Sequence, residues 1–438
     1  LAGHKEKEEA AMLRIVMVVS LLVVSLLSGG CVNGRETDEV TYVVAIGLDK
    51  GTGKNIRATY VVVSTGTMGG GGKEGEAGGK QTELVTIEAA NLGEARNLLN
   101  SVESRSINLS HVKGFIVGED LARQGLADIM SVVMRFREFR GTMYIGVVNN
   151  GTAEEFLSKN SPKVEKLPSK YFESMIATAD ESSYYLPVQM HEFYRRLKTN
   201  NGSPTAMLVG VNPQTGRGQP QGIVEEGDKA KEYTAGMMPR EGESNPAEIM
   251  GTALFVDDKM VGTLTNQETR MVAILRGKFG RGFMVVADPM AQEKNANVYL
   301  RLGRLPRIKC EFQDGIPKIN ADILLEAEIS ALPSGVNYEA PEYSGMLESQ
   351  VSRVIEEEMS NMLRKTQELG SDAVGFGRYA RSQFTLYDEF AQLDFKKLYQ
   401  KAEITLSVKT IIRRTGLLWK TSPLPGKDKG TEKKREVS

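Results

Sequence analysis

The residues best suited to chemistry lie near the start of the chain. In "LLSGGCVNG" a cysteine, Cys31, follows Ser28-Gly29-Gly30 at the end of a 13-residue apolar run, Ile15 to Leu27, which Arg14 precedes. A run of that length fits the core of a secretory signal and falls short of the ~20 residues a spanning helix needs. A signal-peptidase pocket admits only small side chains before its cut. A thiol directly after them can take a diacylglycerol and become the new N-terminus. Residues 12–30 are therefore read as a lipoprotein signal, with cleavage between Gly30 and Cys31, lipid attachment at Cys31 and a tether over 31–37. Residues 1–11 form an acidic preamble, read as untranslated, with Met12 as the start. The competing reading is an uncleaved anchor with an incidental cysteine.

Other groups offer less. The 3 histidines, His4, His111 and His191, have no two at ligand spacing, so neither a zinc site nor a catalytic triad is expected. Cys310, in the alternating "RIKCEF", reads as a small buried hydrophobe, and no disulfide forms if Cys31 carries lipid. "GTMGGGGKEGEAGGK" holds 8 glycines in 15 residues, yet Thr67 stands where a P-loop needs glycine and Glu74 where it needs Ser or Thr. "GFGRYA", Gly375 to Ala380, matches a dinucleotide fingerprint but follows a long helix instead of a strand. Asp257-Asp258 reads as a hairpin tip and Glu356-Glu357-Glu358 as a solvated helix face. Arg135, Arg137 and Arg140 meet the negative end of a helix. No catalytic residue, cofactor or metal is expected.

These groups must be held by a body of about 400 residues, enough for two or three domains. Charged residues make up 25%, hydrophobic residues 40%, and the formal net charge is −1, so nothing marks a nucleic-acid binder. Periodicity divides the chain into an N-terminal α+β block (38–199), a middle one (200–294) with a flexible insert at about 211–246, and a C-terminal one (295–416). A basic tail (417–438) reads as disordered. "VTYVVAIGL", "IRATYVVVS", "TELVTIE", "HVKGFIVG" and "TMYIGVVN" read as strands of the first block. Its helices start at Asn91 and Leu121, the second running to Arg140. Capping boxes are expected at Thr152/Glu155 and Thr265/Glu268. In the last block "INADILLEAEISAL" alternates strictly, and a helix from about Tyr343 to Leu369 carries Leu347, Val351, Val354, Ile355 and Met362 as its apolar side. The expected class is α+β, three consecutive domains, each a mixed or antiparallel sheet packed with helices.

With these blocks in order, the chain resembles the Ger(x)C family, lipoprotein C subunits of bacterial spore germinant receptors. The carriers are "VAIGLDKG", "EARNLLNSVESRSINLSHVKGFIVGEDLARQGLADIM", "GTALFVDDKMVGTLTNQETR", "SDAVGFGRYARSQF" and "IIRRTG". Two departures stand out. Val32-Asn33 replace the family's usual Trp-Asp after the lipid cysteine, and the stretch from Gly202 to Ala247 is unlike a typical member. The resemblance implies a non-enzymatic subunit on the outer face of the spore inner membrane. It implies partners in a permease-like B subunit and a part-membrane A subunit, with no small-molecule ligand on this chain. A substrate-binding lipoprotein of a transporter is the alternative; no duplicated lobe supports it. A cell-envelope hydrolase would need a nucleophile with a base in reach.

Overall fold

The computed structural model describes residues 2–27, 40–63, 82–162, 168–199, 201–213, 232–240, 242, 244–416 and 421. Two sheets carry the described body. The first is built from β1 (Val40–Lys50), β2 (Ile56–Val63), β3 (Thr82–Ala89), β4 (Ser106–Asn108), β5 (Gly114–Val117), β6 (Tyr144–Val148), β7 (Thr205–Val211), β8 (Ala247–Val256) and β9 (Lys259–Leu264). Their order is β3-β2-β1-β5-β6-β7-β8-β9, with β4 also on β1. β1, β5, β6 and β7 run parallel, and antiparallel hairpins close both sides.

A parallel centre is covered on both faces, which explains why its strands are continuous apolar runs. Phe115, Val117, Ile145 and Val147 pack on one face against Leu99, Met130 and Phe193. Ile116 and Val148 pack on the other against Phe156, Leu157 and Ala179.

The second sheet comprises β10 (Arg281–Asp288), β11 (Ala291–Leu302), β12 (Arg307–Gln313), β13 (Ile316–Ala331) and β14 (Glu403–Arg414). Its order is β10-β11-β13-β12, and β14 lies parallel to β13 from Lys318 to Glu328. The strict alternation in β13 buries Ile319, Ala321, Ile323, Leu325, Ala327 and Ile329. Against them pack Leu347, Val351, Ile355 and Met362 of the Pro341–Glu368 helix. Between the sheets runs the Asn266–Arg276 helix, buried at every position except Glu268. Its start is the capping box read from Thr265 and Glu268, with both reciprocal bonds formed.

The α+β class with sheets packed by helices is observed, but the expected three sheets are two among the described residues. β7, β8 and β9, assigned to a middle block, complete the first sheet because β7 pairs parallel to β6 and β8 then returns along it. The single helix expected over 121–140 is two, Glu119–Gln124 and Ala127–Arg135. Gly125 breaks it at φ 132, a backbone angle that favours glycine. In the Leu92–Val102 helix, Leu92, Ala95 and Leu99 are buried, while Leu98 and Val102 are exposed. The glycine-rich run at 66–80, most of the insert at 211–246, and the tail beyond Gly416 apart from Thr421 lie outside the described residues.

Candidate functional site

Gly30 and Cys31 lie outside the described residues. The segment before them is one helix, Ala2–Leu27, whose apolar residues from Met12 to Val23 are exposed. Among the described residues no helix is long and apolar enough to cross a membrane. No group of three His, Cys, Asp or Glu side chains there could hold a metal ion. The His111 ring packs edge-on to Tyr42 at 4.7 Å, and His191 Nδ1 lies 2.9 Å from the Gly141 carbonyl oxygen. Cys310 is buried, and burial pushes its thiol up to about 11, far from a reactive thiolate.

Helix N-termini and glycine turns are where an exogenous anion would bind. Two of them here are filled from within. At the end of β1, Asp49 accepts from the amides of Ala153 (2.7 Å) and Glu154 (2.9 Å), the first turn of the Ala153–Lys159 helix. Burial raises its pKa while those two amides hold it down. Gly47 and Gly118 make room, since a Cβ at Gly118 would stand 2.1 Å from Asp49 Oδ1. The glycines and the aspartate of "VAIGLDKG" are thus packing and capping residues. Thr152 Oγ1 accepts from Glu155 N at 3.1 Å, as its capping position requires.

"SDAVGFG" repeats this device inside the body. Asp372 accepts from the amides of Gly375 (2.8 Å), Phe376 (2.9 Å) and Gly377 (2.9 Å). The nest of N–H groups in "GFGRYA" therefore holds the chain's own carboxylate, which is a physical reason for the failed dinucleotide match. Asp372 also joins the two sheets. Its amide donates to Ser203 Oγ (3.0 Å), its carbonyl accepts from Ser203 N (2.9 Å), and Ser371 Oγ donates to the Phe255 carbonyl (2.8 Å). A Cβ on Gly202, at φ 138, would lie 2.6 Å from Gly375 Cα, so the two backbones touch.

Buried arginines complete this junction. Arg276 Nε donates to the Ala373 carbonyl at 2.9 Å and Nη2 to Thr205 Oγ1 at 3.0 Å. Arg196 Nη1 donates to the Ser203 carbonyl at 3.3 Å, and its Nε lies 3.5 Å from Glu192. Lys278 Nζ meets the other oxygen of Glu192 at 3.1 Å. Burial lowers the pKa of Arg276, and neighbouring Arg196 lowers it further. Burial also raises that of Asp372, opposed by the three amides and then by Arg196. For Glu192 burial acts upward, but Lys278, Arg276 and Arg196 together bring the carboxyl below its ordinary range.

The sequence reading passed over Asp49, Arg196, Arg276 and Asp372. A signal was present: Arg276 ends a helix whose core, Met271 to Leu275, is apolar all round, so a charge there must find buried partners. The Asp257-Asp258 pair does form the tip between β8 and β9 and acts as a clasp. Asp258 Oδ2 accepts from Ala127 N at 3.0 Å, capping a helix more than a hundred residues away in sequence, and Asp257 pairs with Lys396. Glu357 pairs with Arg353 on the exposed side of its helix at 2.7 Å. The arrangement holds two layers together; it brings no nucleophile against a base.

Known proteins match this chain along most of its length. Residues 33–211 match the family model described as spore germination protein N-terminal domain. Residues 250–416 match that described as spore germination B3/GerAC like, C-terminal. The chain is 24% identical to YfkR of Bacillus subtilis (strain 168), whose name assigns it to spore germination, over 92% of this chain and 97% of that one. It is 22% identical to spore germination protein KC of the same organism, over 93% and 96%. With spore germination protein GerQC of Bacillus cereus the identity is 20%, over 83% and 89%. The crystal structure of the GerBC protein overlays with a TM-score of 0.49 at 15% identity, covering 87% of this chain and 100% of that one. The matched residues run from the first strand of the first sheet to the last of the second, apart from 212–249, and the chain belongs to the Ger(x)C family of spore germination proteins.

Proposed function

We propose that this chain is the C subunit of a nutrient germinant receptor, a non-catalytic lipoprotein held at the outer face of the spore inner membrane by a diacylglyceryl group on Cys31. It works there with A and B membrane subunits. The observation that carries the reading is the end-to-end match of both spore germination domains behind a small-residue run and Cys31. The internal filling of its anion-binding geometries by Asp49 and Asp372 supports a scaffolding role over ligand capture on this chain. A diacyl group supplies two chains, enough for stable attachment where one alone is marginal. Confinement to a layer over the membrane raises the body's effective concentration for membrane partners without any new contact.

The test is the mass of the mature N-terminal peptide from the membrane fraction, together with Cys31→Ala. A peptide beginning at lipid-bearing Cys31 is expected, and the variant should fold, leave the membrane fraction and lose germination through its receptor. An intact, unmodified N-terminal segment with normal germination of the variant would overturn the proposal.

A further inference from the structure

An open sheet edge is a row of unpaired N–H and C=O groups that another strand can take up. At the edge of the second sheet part of that row is served from within: Thr410 N donates to Ser352 Oγ at 2.9 Å and Ile412 N to Glu348 Oε1 at 2.7 Å. β3, the edge of the first sheet, has no such cover. It pairs with β2 from Thr82–Val63 to Ala89–Ile56 without a bulge, and its residues include neither proline nor lysine, the usual guards of an open edge. Among the described residues, Thr82 to Glu88 make no backbone hydrogen bond outside that ladder.

An apolar ridge flanks this edge, and carboxylates mark one end of it. Val85 and Ile87 of β3 pack on the core beneath the Leu92–Val102 helix. That helix directs Arg96 to Glu138 and over the Phe136 ring, toward the middle of the sheet. At 3.6 residues per turn Leu98 and Val102 fall on its opposite flank, the side of the open edge, where they are 41% and 66% exposed. The helix returns along β3, so Glu103 at its end comes level with the start of the strand. There burial and then the neighbouring Glu83 carboxylate raise the pKa of Glu103. Neither Glu83 nor Glu103 has an ion-pair partner among the described residues. Farther along, Glu88 accepts from Thr52 N and Glu94 from Ala90 N, each at 2.8 Å. Against these carboxylates stand Lys54 at the β1–β2 turn and Arg105 two residues past Glu103, while Arg57 and Arg96 are paired with Glu154 and Glu138. The edge is therefore acidic, most of all at the start of β3.

We propose that β3 is a docking edge at which an extended segment of a partner protein joins the first sheet as a further strand. The segment sets apolar side chains on Leu98 and Val102 and a lysine or arginine beside Glu83 and Glu103. Main-chain hydrogen bonds to the open row supply affinity, and side chains at every second position supply specificity. An acidic segment would set like charge against Glu83 and Glu103. A second copy of this chain, paired antiparallel about the centre of β3, would bring Glu83 of each chain opposite Glu88 of the other, again like charge on like. The inference concerns the described body alone and stands or falls independently of the lipid at Cys31.

The test uses the full chain in mild detergent and end-blocked peptides Lys-Thr-Val-Thr-Val-Thr-Lys, or the same with Glu or Gln at both ends, read by fluorescence anisotropy and hydrogen exchange. The lysine peptide should bind roughly tenfold more tightly than the glutamate one and slow exchange at amides within Thr82 to Glu88. Glu83→Gln with Glu103→Gln should erase that preference and keep the binding of the glutamine-ended peptide. Leu98→Ser with Val102→Ser should weaken all three peptides roughly tenfold. Comparing the peptides on the unaltered chain needs no variant to fold. Equal binding of the lysine and glutamate peptides, binding without protection in β3, or no binding would overturn the docking edge. So would full protection of β3 before any peptide is added: constant protection assigns the edge to this chain's own residues, and protection that rises with protein concentration assigns it to a second copy.

Discussion

At the scale of single residues, the junction shows how buried charge is made tolerable. An isolated guanidinium in a protein interior is strongly disfavoured, yet Arg276 is almost fully buried. It is accommodated because a carbonyl, a hydroxyl and the nearby carboxylates Glu192 and Asp372 face it. Glu192 carries a pH signature. Its folded pKa lies below the ordinary 4.5, so its contribution is present above that value and lost as pH falls through the folded one. Glu192→Gln should cost about 1–2 kcal/mol at neutral pH, and the gap to the parent should narrow below pH 4.5. Thermal melts of both proteins across that window check this, and a gap independent of pH would exclude Glu192 as the responsible group. Histidine scarcity and the inert environment of Cys310 were legible in composition and alternation. The partners of Arg196 and Arg276 were not, because each is supplied by a segment distant in the chain.

Elements follow local rules until another element intervenes. The Thr265/Glu268 box, the alternation of β13 and the apolar stripe of the Pro341–Glu368 helix were all readable, since each depends on residues within a few positions of one another. The helix expected over 121–140 was misjudged because its interruption comes from elsewhere. Gly125 permits the break, but Asp258 makes it favourable by accepting from Ala127 N at the new helix start. Asp258→Ala should therefore destabilise the protein by about 1 kcal/mol, a typical loss for an N-cap. Hydrogen exchange should show the effect concentrated at Ala127 to Met130, and unchanged protection there would count against a capping role. Asp258→Asn, which keeps an acceptor, should recover most of the loss.

At the scale of the molecule, Asp372 and its neighbours couple the sheets, and the matched family domains meet across them. Asp372→Asn leaves two buried arginines short of a counter-charge and one of three amides poorly served. A loss of about 3–5 kcal/mol is the usual result of removing one partner of a buried pair. The expected calorimetric outcome is a single cooperative transition in the parent and two separated transitions in the variant, as the sheets lose their common lock. A variant that still melts as one unit would mean that apolar contacts of the Asn266–Arg276 helix couple the sheets without the polar network.

Sequence by itself determined the α+β class, most strands, the capped helix starts, the family membership and the expectation of a lipid at Cys31. These follow from periodicities of two and 3.6 residues and from local patterns, which neighbouring residues impose on one another. Tertiary structure alone decided that the middle strands complete the first sheet, where the helix after β5 breaks, and that both glycine-lined nests are filled by internal carboxylates. Each of these depends on contacts between segments far apart in the chain, such as Ser203 with Asp372 or Ala127 with Asp258, for which a linear pattern carries no distance.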